Sequence, residues 1–177
     1  MRKIWIFLAA IVVATGLLWV SAEPRALVYK KGDAIKKYRL QSDDGTFIDT
    51  SSFKGKWVVL YFYPKDDTPG CTKEAQTFTS LIDEFTQANA LVYGINTDSP
   101  ESHRRFKRKY DLKVALLSDR TETVADDFGV KVIAGFCARD TVLINPKGAV
   151  EEIFRGVNPS GHPGEILKYI KDHSAKR

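Results

Sequence analysis

A chain of 177 residues has room for one domain with a sizeable core and is short for two. Its 44% hydrophobic and 28% charged content exclude disorder as the main state. Lys and Arg outnumber Asp and Glu by 27 to 22, and a net charge of +5 is too mild to imply a nucleic acid partner.

Residues 1–22 read as a leader. Arg2 and Lys3 precede an apolar run from Ile4 to Val20, relieved only by Thr15 and Gly16, and Ser21-Ala22 stand ahead of Glu23-Pro24. A basic start, an apolar stretch and a small residue at the exit have the form of a secretory signal. The run is slightly long for a signal and slightly short for a spanning helix, so two outcomes stay open: cleavage after Ala22, or retention of residues 4–20 as a membrane anchor. Either one exports residues 23–177 as a single domain, into a bacterial periplasm or onto the periplasmic face of the inner membrane.

Residues 23–36 form a basic, proline-containing lead-in. Tyr38 and Leu40 alternate with Lys37, Arg39 and Gln41 as a short half-buried strand would, and Asp43-Asp44-Gly45 turns the chain into an extended Thr46–Asp49, giving an N-terminal hairpin. Ser51–Lys56 is a loop or a single helical turn. Trp57–Tyr63 is apolar throughout, without alternation, which predicts a central strand buried on both faces. Pro64 ends it and Lys65–Gly70 form a loop. From Cys71 to about Ala88, the residues Ala75, Phe78, Leu81, Ile82 and Phe85 fall at helical spacing and predict one amphipathic helix. Leu91–Asn96 is a second buried strand, and Ser99-Pro100 opens a helix that runs to about Tyr110. In that helix Arg104–Lys109 carries five permanent cations. Phe106 and Tyr110, four apart, are expected to face the core and leave the charges in solvent, or facing an anionic membrane or a partner. Leu116-Leu117 is short and extended and Thr121–Phe128 helical. Thr141–Ile144 is a strand whose turn Asn145–Gly148 leads to its hairpin partner Val150–Phe154. His162-Pro163-Gly164 leads into a C-terminal helix of about ten residues. This order argues an α/β chain with parallel strands first and an antiparallel hairpin late. It is the order of a thioredoxin-like fold: a central mixed sheet flanked by helices, with an N-terminal hairpin and an inserted helix.

The two cysteines, Cys71 and Cys137, would in an oxidising compartment ordinarily be read as one structural disulfide. The position of Cys71 argues otherwise. It lies at the seam between a buried strand and the first turn of a helix, where unpartnered N–H groups and the helix dipole favour a thiolate. A cysteine kept only for packing is expected inside a strand or helix instead. Thr68 places a hydroxyl three residues before the sulfur, on a loop that Pro64, Pro69 and Gly70 bend. Glu74, one helical turn after Cys71, can anchor an arginine beside the sulfur. Thr68 also fits a plain loop cap, and Glu74 a first-turn acid favoured by the dipole.

Pro64, Thr68 and Cys71 fit the pattern P-x-x-x-T-x-x-C, through which the sequence resembles the peroxiredoxins. Tyr61-Phe62-Tyr63-Pro64-Lys65, Thr68-Pro69-Gly70-Cys71-Thr72, Ser102-His103-Arg104-Arg105-Phe106, Leu116-Leu117-Ser118-Asp119, Phe128-Gly129-Val130 and Gly161-His162 resemble its Q-type branch, also called bacterioferritin comigratory protein. The resemblance spans about residues 35–173 in the family's order. It implies an antioxidant enzyme that reduces hydrogen peroxide and organic hydroperoxides to water and alcohols without metal, haem or other cofactor. Its partner would be a thioredoxin-like or low-molecular-weight thiol reductant, and its state a monomer or weak homodimer. In that reading Cys71 attacks the peroxide and becomes a sulfenic acid, Thr68 orients the peroxide, and Pro64 shields the thiolate. Arg139 holds the thiolate and the peroxide oxygens, work suited to a permanently charged planar donor, although a strand-edge cation is its plain alternative. Glu74 is the supporting acid.

One departure bears on recycling. Many Q-type members carry a second cysteine five residues after the first, and here that position is Gln76. The local disulfide route is absent, which points to a one-cysteine enzyme. If residues 137–141 are extended, Cys137 shares a face with Arg139 and can face Cys71 as a resolving thiol; otherwise it fills a small apolar packing site. A thioredoxin-like disulfide oxidoreductase would need Cys-x-x-Cys, and a copper carrier Cys-x-x-x-Cys; Glu74 and Ala75 stand where those second cysteines would be. An exported redox sensor of the same fold remains the alternative to catalysis.

Overall fold

The computed structural model describes residues 28–174, so the expected leader lies outside the described residues. The fold is thioredoxin-like, built on a sheet of seven strands. In chain order its strands are β1 (Arg39–Ser42), β2 (Phe47–Asp49), β3 (Trp57–Phe62), β4 (Ala90–Asn96), β5 (Ala115–Ser118), β8 (Thr141–Ile144) and β9 (Val150–Phe154). They lie side by side as β2-β1-β5-β4-β3-β8-β9. A separate two-stranded ribbon, β6 (Val132–Ile133) with β7 (Phe136–Cys137), precedes β8. The helices are α1 (Pro69–Ser80), α2 (Ile82–Gln87), α3 (Pro100–Tyr110), α4 (Thr123–Asp127) and α5 (His162–Ser174).

β3 explains the layering. It pairs with β4 in parallel and with β8 antiparallel, so neither edge meets water. Every one of its side chains is buried, and successive residues point to opposite faces. Trp57, Val59 and Tyr61 enter a core with Phe78, Phe85, Phe106 and Ile170. Val58, Leu60 and Phe62 enter a second core with Phe53, Val124, Phe128 and Ile144. A strand serving two cores has no polar face to show, hence its unbroken apolar run. The expected N-terminal hairpin is β1–β2, docked antiparallel on β5, and β8–β9 is the late hairpin.

Four local expectations need correction. The helix expected from Cys71 to Ala88 is two helices, broken at Leu81. The Thr77 and Ser80 hydroxyls bond the carbonyls of Lys73 and Thr77, a competition that weakens the last turn, while Leu81 and Ile82 still pack against the core and keep the periodicity. α4 is shorter than Thr121–Phe128, because Glu122 sits at φ 59° and Asp119 caps the helix through the N–H groups of Val124 and Ala125. The β6–β7 ribbon, unforeseen, turns at Ala134 and Gly135, both at positive φ; the alanine hides the turn. The basic run of α3 is not simply solvated. Phe106 is buried as expected, but Arg104 bonds the Asp43 carbonyl at 2.9 Å, Lys107 pairs with Asp43 at 3.0 Å, and Lys109 pairs with Asp67 at 2.7 Å. Among the described residues no helix is long and apolar enough to cross a membrane.

Candidate active site

The chain leaves β3 at Phe62, runs through the loop of residues 63–68 and enters α1. Thr68 is the N-cap, extended at φ −98° and ψ 150°, and Pro69 supplies the pre-set first helical residue. Cys71 therefore falls in the first turn, where peptide N–H groups lack helical partners. It is 1% exposed.

Arg139 comes from the far side of the sequence. Because β8 runs antiparallel to β3, the residues just before β8 lie beside the end of β3; the Phe62 N–H bonds the Asp140 carbonyl at 2.7 Å. Arg139 Nη2 reaches Cys71 Sγ at 3.3 Å, and Nη1 pairs with Glu74. Glu74 is fully buried, one turn along α1 from Cys71 and on the same face. Burial pushes its carboxyl up to about 7, against the opposing pull of Arg139, and Oε1 has no hydrogen-bond partner among the described residues. Gly70 is part of this geometry, since a Cβ there would lie 3.3 Å from Arg139 Nη2. The Thr68 hydroxyl donates to the Lys65 carbonyl at 3.1 Å and keeps acceptor capacity. Pro64 is half-buried at the start of the loop.

Cys71, Glu74 and Arg139 thus meet directly, with Thr68 and Pro64 on the loop that delivers the sulfur. Cys137 does not join them. It packs in the opposite core, with Phe128 and Val130, and burial followed by nearby acids pushes its thiol up to about 12. Cys137 and Arg139 do not share a strand face, contrary to expectation, because residues 137–141 are not one strand. β7 ends at Cys137, Ala138 bonds back to Lys131, and β8 begins only at Thr141. Both cysteines are free thiols.

The sequence reading missed what holds the loop. Asp66 is buried, and its carboxylate accepts the Tyr63 hydroxyl at 2.7 Å and His103 Nδ1 at 3.0 Å. Burial alone would raise Asp66, but these donors hold its carboxyl below the usual range. The Asp66 N–H bonds Asp98 at 2.9 Å, Lys65 pairs with Asp98, and Asn96 steadies Asp98 from the end of β4. Asp67, at φ 58°, takes Lys109 and the Tyr110 hydroxyl on the surface. The available signal was Asn96 to Asp98, a polar cluster at the carboxyl end of a buried parallel strand, where α/β sheets place their sites.

The family model described as the AhpC/TSA family matches residues 31–153. A Coxiella burnetii protein carrying the provisional name peroxiredoxin bcp is 39% identical over 137 residues, 73% of this chain and 91% of that protein. A cysteine-to-serine mutant of Xylella fastidiosa PrxQ superposes with a TM-score of 0.78 at 33% identity, covering 82% of this chain and 98% of that one. The bacterioferritin comigratory protein of Xanthomonas campestris, solved to explain its alkyl peroxide reduction activity, has a TM-score of 0.73 at 34% identity, covering 80% and 99%.

Proposed function

This chain belongs to the AhpC/TSA family and is a thiol-dependent peroxidase of the peroxiredoxin Q kind; from that premise we propose that it turns over through Cys71 alone, on hydrogen peroxide and organic hydroperoxides. The Cys71 thiolate attacks one peroxide oxygen and the O–O bond breaks. The departing oxygen takes a proton and leaves as water or alcohol, and the sulfur becomes a sulfenic acid. Arg139 stabilises the charge as it moves from sulfur to the departing oxygen, Thr68 orients the peroxide, and Pro64 shields the thiolate. Glu74 fixes Arg139. The observation that carries this assignment is the 3.3 Å contact between Arg139 Nη2 and Cys71 Sγ, at a cysteine only 1% exposed.

Gln76, exposed on α1, and Cys137, in the opposite core, support the one-cysteine reading. An external thiol then attacks the sulfenic acid, releases water and forms a mixed disulfide, and a second thiol frees Cys71. A thioredoxin-like protein or a small thiol fits that role. Peroxide consumption with a thiol reductant tests the assignment: wild type turns over and Cys71→Ser does not. We also infer export, from Arg2-Lys3 and the apolar run of residues 4–20. Fractionation should find the protein outside the cytoplasm, and recovery of the intact chain in the cytosol refutes it.

A further inference from the structure

Peroxide and reductant make unequal demands on Cys71. A peroxide presents two oxygens to a sulfur that is 1% exposed. A reducing thiol must bring its own sulfur, and the chain behind it, onto Sγ. The loop of residues 64–70 has to lift for that, so its fastenings govern one half of the cycle more than the other.

Those fastenings differ in kind. Asp67 with Lys109 is a surface pair, with side chains 44% and 56% exposed, and such pairs hold little. Lys65 is 45% exposed in its pair with Asp98. Asp66 is different: its carboxylate is sealed under the loop and accepts the Tyr63 hydroxyl and His103 Nδ1 closely, with a longer bond of 3.4 Å from Asn96 Nδ2. His103 is 0% exposed, and its Nε2 has no partner among the described residues. The ring's one strong polar contact therefore goes to Asp66, with a longer one of 3.4 Å to the Tyr63 hydroxyl. An apolar side chain would fill the same site in α3 without leaving a polar nitrogen unpaired there, so the imidazole serves the loop rather than the core. A cavity of about 310 Å³ lies along the same seam, lined by Asp66, Asp67, Ser102 and Phe106 among others, and gives the loop room to move.

We propose that His103 and Asp66 form a buried latch that sets how often the loop opens to admit a reducing thiol to Cys71. His103 is a positioning residue, acting on Thr68 and Cys71 through Asp66. The inference rests on the reading that an external thiol reduces the Cys71 sulfenic acid. With the latch closed, the peroxide pocket is assembled and thiols are kept out. Released, the loop misplaces Thr68 and exposes the sulfur.

The two half-reactions are measured separately on the full chain: Cys71 oxidation by hydrogen peroxide in stopped flow, then reduction of the preformed sulfenic acid by 2-mercaptoethanol. His103→Leu removes the donor and should slow oxidation by about tenfold while speeding thiol reduction by about tenfold, the scale of one hydrogen bond to a charged group. His103→Asn returns an N–H near the Nδ1 position and should restore both rates toward wild type. Tyr63→Phe removes the Tyr63 donor while keeping the ring, and should move both rates in the same directions but less; it carries the test if His103→Leu does not fold. Opposed changes reversed by asparagine support the latch. An unchanged thiol rate in folded His103→Leu and Tyr63→Phe, or a fall in both rates together, overturns it. A Cys71–Cys137 disulfide in oxidised wild type overturns the one-cysteine reading and the latch with it, whereas thiol rates equal to wild type in folded His103→Leu and Tyr63→Phe, or in Tyr63→Phe where His103→Leu does not fold, overturn the latch alone.

Discussion

The two cysteines stand on opposite sides of one sheet and are almost equally buried, Cys71 at 1% and Cys137 at 2% exposed. Cys71 occupies the first turn of α1 and touches a guanidinium that a buried glutamate holds in place. Cys137 ends a two-residue strand among apolar side chains, and the charges that act on it from nearby, Asp119, Glu122 and Asp98, are negative and push its thiol further up. Burial therefore does not decide which thiol reacts. A helix terminus and a cation within reach do, and topology supplies the cation, because antiparallel β8 begins where β3 ends.

The largest effect expected of any substitution is at Cys71 itself. Cys71→Ser should lose peroxidase activity entirely while its melting curve stays near that of wild type, since no other activated thiol is present; turnover within a few-fold of wild type would erase the contrast between the two cysteines. Arg139→Lys comes next. A point charge cannot hold Glu74 and the sulfur together as a planar fork does, so kcat/KM should fall by about 10²-fold. An unchanged value would make Arg139 a structural cation only.

Glu74→Gln sharpens the comparison through pH. The Glu74 carboxyl, ordinarily near 4.5, is pushed up to about 7 by burial. Between those values the folded chain holds a proton that the unfolded chain has released. Glu74's contribution to stability is therefore complete below about 4.5 and is lost as pH rises through 7. The glutamine variant has no such proton to lose. Urea unfolding at pH 5 and pH 8 should show a smaller stability difference in Glu74→Gln than in wild type, by on the order of 1–3 kcal/mol. Identical differences would mean that Glu74 is not perturbed. The smallest effect belongs to Cys137→Ser, which should keep turnover within about twofold with a small thiol as reductant and lose only some packing stability.

The parts visible in the sequence were those set by local pattern. β3 announced itself because both its faces are buried, and Cys71 because a strand-to-helix seam is a local feature. Arg139 was found through family resemblance, and Glu74 through its helical spacing from Cys71. What stayed hidden depends on contacts between distant segments. Asp66 looks like an ordinary loop acid until α3 packs His103 beneath it, 37 positions later in the chain. The face of Cys137 was misjudged because strand alternation was carried across the break at residues 138–140. Arg104 and Lys107 looked solvated until the β1–β2 turn brought Asp43 to them.

The most direct test of the contrast between the two thiols is mass spectrometry of the whole chain after one equivalent of hydrogen peroxide, with sulfenic acid trapped by dimedone and free thiols by iodoacetamide under denaturing conditions. Dimedone is expected on Cys71 and a free thiol at Cys137. A disulfide joining Cys71 to Cys137, or dimedone on Cys137, would contradict that contrast.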